Sequence, residues 1–161
     1  MESLAAVRDY PPLYTLQPNL DVRGRQLAMW RKILVESKQY IFDVSSKVFS
    51  NPTIDRKLNS AFFSELADYL IKEKSAIWLV DKTRLLFLPV TLEAYADALT
   101  QWAQKNGAGN SVETIFHIQQ TSKGFAFDEA PEELVIAAAR VLESRGKCKV
   151  LKEGQGVRFN I

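Results

Sequence analysis

Ala76-Ile77-Trp78-Leu79-Val80-Asp81-Lys82-Thr83-Arg84-Leu85-Leu86-Phe87-Leu88-Pro89 is the stretch that decides the fold. Two apolar runs, 76–80 and 84–88, flank the polar triplet Asp81-Lys82-Thr83, which is the pattern of a β-hairpin. Pro89 ends it, because proline has no N–H to give a strand ladder. Upstream the period changes from strand to helix. Leu27, Trp30, Leu34 and Ile41 recur at steps of three, four and seven, one apolar stripe of a helix from about Arg25 to Tyr40. Residues 43–49 predict a short second helix, closed by Asn51-Pro52. Asn59 or Ser60 then caps a third, with Phe62, Phe63, Leu66, Tyr69 and Leu70 facing inward.

Downstream of Pro89 the same order returns. Leu92, Tyr95, Ala96, Leu99, Trp102 and Ala103 form a helical stripe that ends at Asn106-Gly107, where glycine supplies a left-handed cap. Ser111 predicts the cap of a short helix with Val112, Ile115 and Phe116 inward. Pro131 marks a first-turn position, followed by Glu132 and Glu133, which suit the positive end of a helix dipole. Leu134, Ala138, Val141 and Leu142 give the stripe of that helix, and Gly146 stops it. Cys148 and Val150, then Val157, Phe159 and Ile161, alternate as strands around Glu153-Gly154-Gln155-Gly156. Helix–helix–helix–hairpin, twice over, predicts an α+β chain of two tandem winged-helix domains, at 23–88 and 89–161. Residues 1–22 stand apart. Pro11, Pro12 and Pro18 push them toward extended geometry, so an arm bearing Tyr10, Leu13, Tyr14 and Leu16 needs a surface to lie on.

A chain of 161 residues suits two small domains. A domain of about 70 residues buries only about 60% of its unfolded surface. Large side chains must therefore fill each core, and three Trp, nine Phe and five Tyr supply them. The net charge of +2 is too small to imply a polyanionic partner. Residues 1–88 hold 13 basic and 10 acidic groups, and residues 89–161 hold 8 and 9, so neither half is strongly basic. Cys148 is the only cysteine, which excludes an intrachain disulfide and fits a reducing compartment. Met1-Glu2-Ser3-Leu4 has no secretory pattern and no glycine for myristoylation. No apolar run approaches the roughly 18 residues of a membrane span. A soluble cytoplasmic protein is expected.

Catalytic chemistry finds little support. One His and one Cys cannot complete a structural zinc site, and no calcium-loop pattern occurs. No cofactor or metal is expected. Cys148 and His117 are the one conceivable nucleophile pair, but Cys148 alternates with Lys147 and Lys149 as an inward strand residue would. Asp128-Glu129 and Glu132-Glu133 sit where carboxylates complement a helix dipole. Gly107-Ala108-Gly109 and Gly154-Gln155-Gly156 are turns rather than phosphate loops. A winged helix that binds nucleic acid is the alternative, since that fold often lays its third helix in the major groove. The two candidate helices carry Glu65, Asp68 and Glu73, and Glu132, Glu133 and Glu143, which phosphates repel. Nucleic acid is not expected as a partner.

Pro11-Pro12-Leu13-Tyr14 fits Pro-Pro-any-Tyr, the pattern of a WW-domain ligand. Two prolines present a preorganised ridge and the tyrosine offers an anchor. The flanking Thr15-Leu16-Gln17-Pro18-Asn19 suggests a longer footprint than WW recognition uses, with strapping to the chain's own domain as the lesser alternative.

Pro-Pro-Leu-Tyr-Thr-Leu-Gln-Pro-Asn at 11–19 resembles the N-terminal signature of the vacuolar protein sorting-associated protein 25 family of ESCRT-II subunits. Arg25-Gln26-Leu27-Ala28-Met29-Trp30 is similar to the helix that follows it in the family. Arg56-Lys57-Leu58, Gln101-Trp102, Asn110-Ser111-Val112 and Gly154-Gln155-Gly156-Val157-Arg158-Phe159 fall in the family's order. The resemblance implies tandem winged helices and an assembly of two copies of this chain with one each of two other ESCRT-II subunits. It implies that Pro11, Pro12, Leu13 and Tyr14 dock into hydrophobic pockets on those subunits, with Leu13 the variable position. It further implies that the second winged helix contacts a membrane-anchored ESCRT-III subunit during cargo sorting into multivesicular endosomes. Residues 39–53 depart from the family pattern, and the aromatic leader before the signature is reduced to Tyr10. No motif in 90–161 assigns individual ESCRT-III contacts.

Overall fold

Asn19 starts the first long helix earlier than the apolar stripe suggests. In the computed structural model, which describes residues 4–161, its Oδ1 accepts hydrogen bonds from the N–H groups of Asp21 and Val22. That cap satisfies two donors that a helix start leaves open. Met1, Glu2 and Ser3, on which the N-terminal expectations rest, lie outside the described residues.

The chain divides into two units, Met1–Pro89 and Val90–Ile161. In the first, a short helix α1 (Leu4–Arg8) and a 3₁₀ turn (Pro11–Tyr14) precede α2 (Leu20–Ser37). Strand β1 (Ile41–Phe42) and the short pair β2 (Ser50–Asn51) and β3 (Arg56–Lys57) lead to α3 (Ser60–Lys72). Asn59 caps α3 through a hydrogen bond from the Phe62 N–H. Strands β4 (Ala76–Trp78) and β5 (Leu85–Phe87) then form the hairpin, Ala76 opposite Phe87 and Trp78 opposite Leu85. β1 adds to the free side of β5, giving the order β1-β5-β4. The turn between them is set by Asp81. Its carboxylate accepts from the Thr83 and Arg84 N–H groups and from the Arg84 guanidinium, which hold its pKa well below the usual carboxylate range.

The second unit runs α4 (Leu92–Lys105), β6 (Val112–Thr114), α5 (Ile115–Gln120), α6 (Glu132–Ser144), β7 (Cys148–Leu151) and β8 (Gly156–Phe159). Its antiparallel sheet has the order β6-β8-β7. Gly107, at φ +65, and Gly146, at φ +73, stand just past α4 and α6, where the left-handed turn favours glycine. Helices packed with small sheets, once per unit, make this the tandem winged-helix chain expected from the sequence.

Four expectations need correction. Leu4–Arg8 and Pro11–Tyr14 are helical rather than extended, because the φ fixed by proline also suits the first turn of a helix, and Pro11 opens the 3₁₀ turn. Residues 43–49 hold only a 3₁₀ turn at Lys47–Phe49. There the Asp43 carboxylate binds the Ser45 N–H and hydroxyl, a local bond that competes with a helix. Thr114, not Ser111, caps the short helix of the second unit, by accepting from the His117 N–H. Val112 therefore belongs to a strand, Val112 and Phe116 are exposed at 58% and 70%, and Ile118 is buried in their stead. Ile161 lies beyond β8, its N–H bonded to the Gly109 carbonyl.

Each core is built on one tryptophan with no exposed surface. Trp30 meets the rings of Tyr14, Phe49 and Phe62 at centroid distances of 5.5, 5.6 and 6.4 Å. Trp102 meets Phe159 and His117, both at 6.0 Å. Replacing Trp30 by Ala is expected to lower the stability of the first unit by about 3–5 kcal/mol, seen as an earlier midpoint in urea unfolding.

Candidate functional site

The N-terminal segment is the candidate site, and the structure divides its four residues into an inner and an outer pair. Leu13 and Tyr14 are buried at 5% and 4% exposure, while Pro11 and Pro12 are exposed. The 3₁₀ turn places successive pairs on opposite sides of the chain. Tyr14 stacks edge-on against Trp30, and its hydroxyl donates to the Arg8 carbonyl at 2.9 Å. Tyr10, just upstream, is 62% exposed, so the outer surface reads Tyr10-Pro11-Pro12.

Two side chains of α2 hold this turn from below. Gln26 is buried at 8% exposure. Its carboxamide NH₂ donates to the carbonyls of Pro12 (3.0 Å), Leu13 (3.2 Å) and Thr15 (2.7 Å), and its oxygen accepts from the Gln17 N–H at 3.2 Å. The Trp30 indole N–H donates to the same Leu13 carbonyl at 3.0 Å. Four residues before Trp30 on one helix, Gln26 lies one turn away on the same face. From the other side, Gln17 Nε2 donates to the Pro12 and Thr15 carbonyls, and Arg23 Nε donates to the Gln17 carbonyl at 2.8 Å. Arg8 donates to the Val48 carbonyl, and Asn51 Nδ2 to the Arg8 carbonyl, tying α1 to the β2 region. Among the described residues no buried side-chain nitrogen or oxygen is left without a partner.

Sequence reasoning singled out Pro11 to Tyr14 but not Gln26, Arg8 or Asn51, which fix them. The one available signal was Gln26 on the apolar stripe beside Leu27 and Trp30, a polar residue where a core side is expected. A notch of about 240 Å³ lies between the turn and α2, lined by Tyr10, Pro12, Val22 and Arg25 among others. With Tyr14 buried, a WW domain finds no tyrosine to grip.

Cys148 and His117, the other chemical candidates, belong to the second unit. The Cys148 thiol donates to the Ala139 carbonyl at 3.1 Å, and burial pushes its pKa up to about 11. His117 packs on Trp102 and lies 3.8 Å from Glu113. Among the described residues no group of three or more His, Cys, Asp or Glu could hold a metal. No helix there is long and apolar enough to cross a membrane. The outer face of α3 carries the exposed carboxylates Glu65 and Asp68, and α6 opens on Glu132 and Glu133.

The chain has clear likenesses among known proteins. The family model for ESCRT-II complex subunits matches residues 7–128. Vacuolar protein-sorting-associated protein 25 of Danio rerio is 32% identical, over 94% of each chain. The protein of the same name from Arabidopsis thaliana is 29% identical, over 95% of this chain and 93% of its own. A crystal structure of subunit VPS25 of the endosomal trafficking complex ESCRT-II aligns with a TM-score of 0.82 at 25% identity, over 99% of both chains. A chain in the crystal structure of ESCRT-II (VPS22/VPS25/VPS36) aligns at 0.79 with 26% identity, over 99% of this chain and 100% of that one.

Two outcomes follow. Gln26→Leu fills the same space but removes the acceptor of the Gln17 N–H and one donor from each of the three carbonyls. Stability should fall by about 1–3 kcal/mol, and the Gln17 amide should exchange hydrogen faster while amides of the second unit keep their rates. Because its raised pKa keeps the Cys148 thiol protonated, alkylation by iodoacetamide should be negligible at about pH 8 and should rise only as pH approaches about 11.

Proposed function

The chain belongs to the family of ESCRT-II complex subunits, and we propose that it works there as a non-catalytic adaptor that holds other proteins together. In working terms it divides into a docking segment at 1–22, a first winged helix at 23–88 and a second at 89–161. The docking segment and the first winged helix bind the two other ESCRT-II winged-helix subunits, with two copies of this chain entering each complex. The second winged helix recruits and activates a membrane-anchored ESCRT-III subunit, in the sorting of cargo into multivesicular endosomes. The protein acts from the cytoplasm and reaches the endosomal membrane peripherally, through its partners.

One observation carries the docking role: the segment 11–14 has two faces with different tasks. Leu13 and Tyr14 seal the inner face against Trp30, and Gln26 fixes the backbone. Pro11 and Pro12 are left outside on a turn that is already formed. A rigid apolar ridge loses little conformational entropy on entering a hydrophobic pocket, which is the usual advantage of proline-rich ligands. The likeness to a chain of the solved three-protein ESCRT-II complex supports the partner class.

Copurification with the two other ESCRT-II subunits tests this. Pro11→Ala with Pro12→Ala changes only exposed residues, and affinity should fall by roughly thirtyfold, as for loss of about 2 kcal/mol at an interface anchor. Adding Tyr14→Ala should abolish assembly. Assembly of unchanged affinity in both variants rejects the docking role.

A further inference from the structure

We propose that the outer face of the β6-β8-β7 sheet in the second unit binds an acidic peptide segment of a partner protein. The proposal stands on this sheet face alone, whichever assembly the unit joins. Register places the residues. Arg158 on β8 is directly opposite Lys149 on β7 and directly opposite Val112 on β6. Directly opposed residues share a face, so one row across the sheet reads valine, arginine, lysine. Their neighbours Cys148, Val150, Val157 and Phe159 point the other way, into the core. Lys147 and Asn160, joined by an Asn160 N–H to Lys147 carbonyl bond, extend the same face by one step. Lys147, Lys149, Arg158, Val112 and Asn160 are all exposed.

The charge on this face is out of proportion to the unit. Residues 89–161 carry 8 basic and 9 acidic groups, yet this face holds three of the basic ones and no carboxylate from the outward positions of its strands. Like charges directly opposite each other destabilise a sheet pair. Glu143 feels the charge of Lys149, but its carboxylate is already engaged by other donors. Glu143 is held by the Val150 N–H at 2.8 Å and by Arg140 at 3.0 Å, and Glu113 accepts from the Ser111 hydroxyl. Among the described residues, Lys147, Lys149 and Arg158 make no ion pair. A depression of about 380 Å³ lies over Lys149, Arg158, Asn110 and Asn160. It offers a guanidinium fork for one carboxylate, an ammonium for a second and amides for a peptide backbone.

Charge complementarity and the short apolar end at Val112 favour a peptide over the other anionic surfaces. Three cations are too few to hold a bilayer or a duplex unaided, and Glu132 and Glu133 at the start of α6 oppose phosphates. The occupant is an acidic stretch with one apolar residue to cover Val112.

The full chain should bind a fluorescein-labelled acidic ten-residue peptide carrying one leucine, with affinity that falls as salt rises. Lys149→Glu and Arg158→Glu should each weaken binding at least about tenfold. Arg158→Glu should at the same time raise Tm by about 2–5 °C, because it turns a repulsive pair with Lys149 into an attractive one. A binding loss that merely reflected damage to the fold would lower Tm instead. Unchanged peptide affinity in both variants, a fall in Tm for Arg158→Glu, or tighter binding to phosphatidylserine vesicles or duplex DNA than to the peptide overturns the proposal.

Discussion

A buried indole must find an acceptor for its N–H, and Trp30 finds it in the Leu13 carbonyl, outside the helices it is packed among. That bond draws a loop carbonyl into the core and brings Leu13 and Tyr14 with it. Once those two are seated, the backbone from Pro12 to Gln17 runs beside α2, where Gln26 can reach three of its carbonyls. Pro11 and Pro12 then have only the solvent side left. The outward ridge is a consequence of how the first unit satisfies one buried donor.

The second unit meets the same demand differently. Trp102 is equally buried, but its N–H donates to the Thr121 hydroxyl at 3.1 Å, just past α5. That hydroxyl in turn donates to the His117 carbonyl. The repeated element order thus produces two cores with one large aromatic each. In the first, the acceptor lies in the segment that precedes α2. In the second unit Val112 on the sheet and Phe116 on α5 are exposed.

Periodic features of the chain were legible because burial imposes its period directly on the sequence. The stripes Leu92 to Ala103 and Leu134 to Leu142, and the alternation around Cys148 and Phe159, appear in the structure where the pattern put them. What escaped was decided by single hydrogen bonds. Asp43 and Ser45 form a local turn where residues 43–49 were expected to be helical. Thr114 displaced Ser111 as a cap because Val112 pairs with Arg158, a partner 46 positions on that no local window contains. The candidate segment itself was visible as a motif. Its shape was not, since proline fits both an extended arm and the first turn of a helix. Three carbonyls converging on Gln26 leave no trace beyond one polar residue on an apolar stripe.

The seat of the docking segment has a consequence for the order in which the chain is made. Pro11 to Tyr14 leave the ribosome early, but the surfaces that receive them belong to Trp30, Phe49 and Phe62. At about 5–20 residues per second, a few seconds separate synthesis of the segment from completion of its seat. Throughout that interval the tyrosine and leucine are without their pocket and accessible to chaperones. The docking segment is thus translated before every ring that buries it.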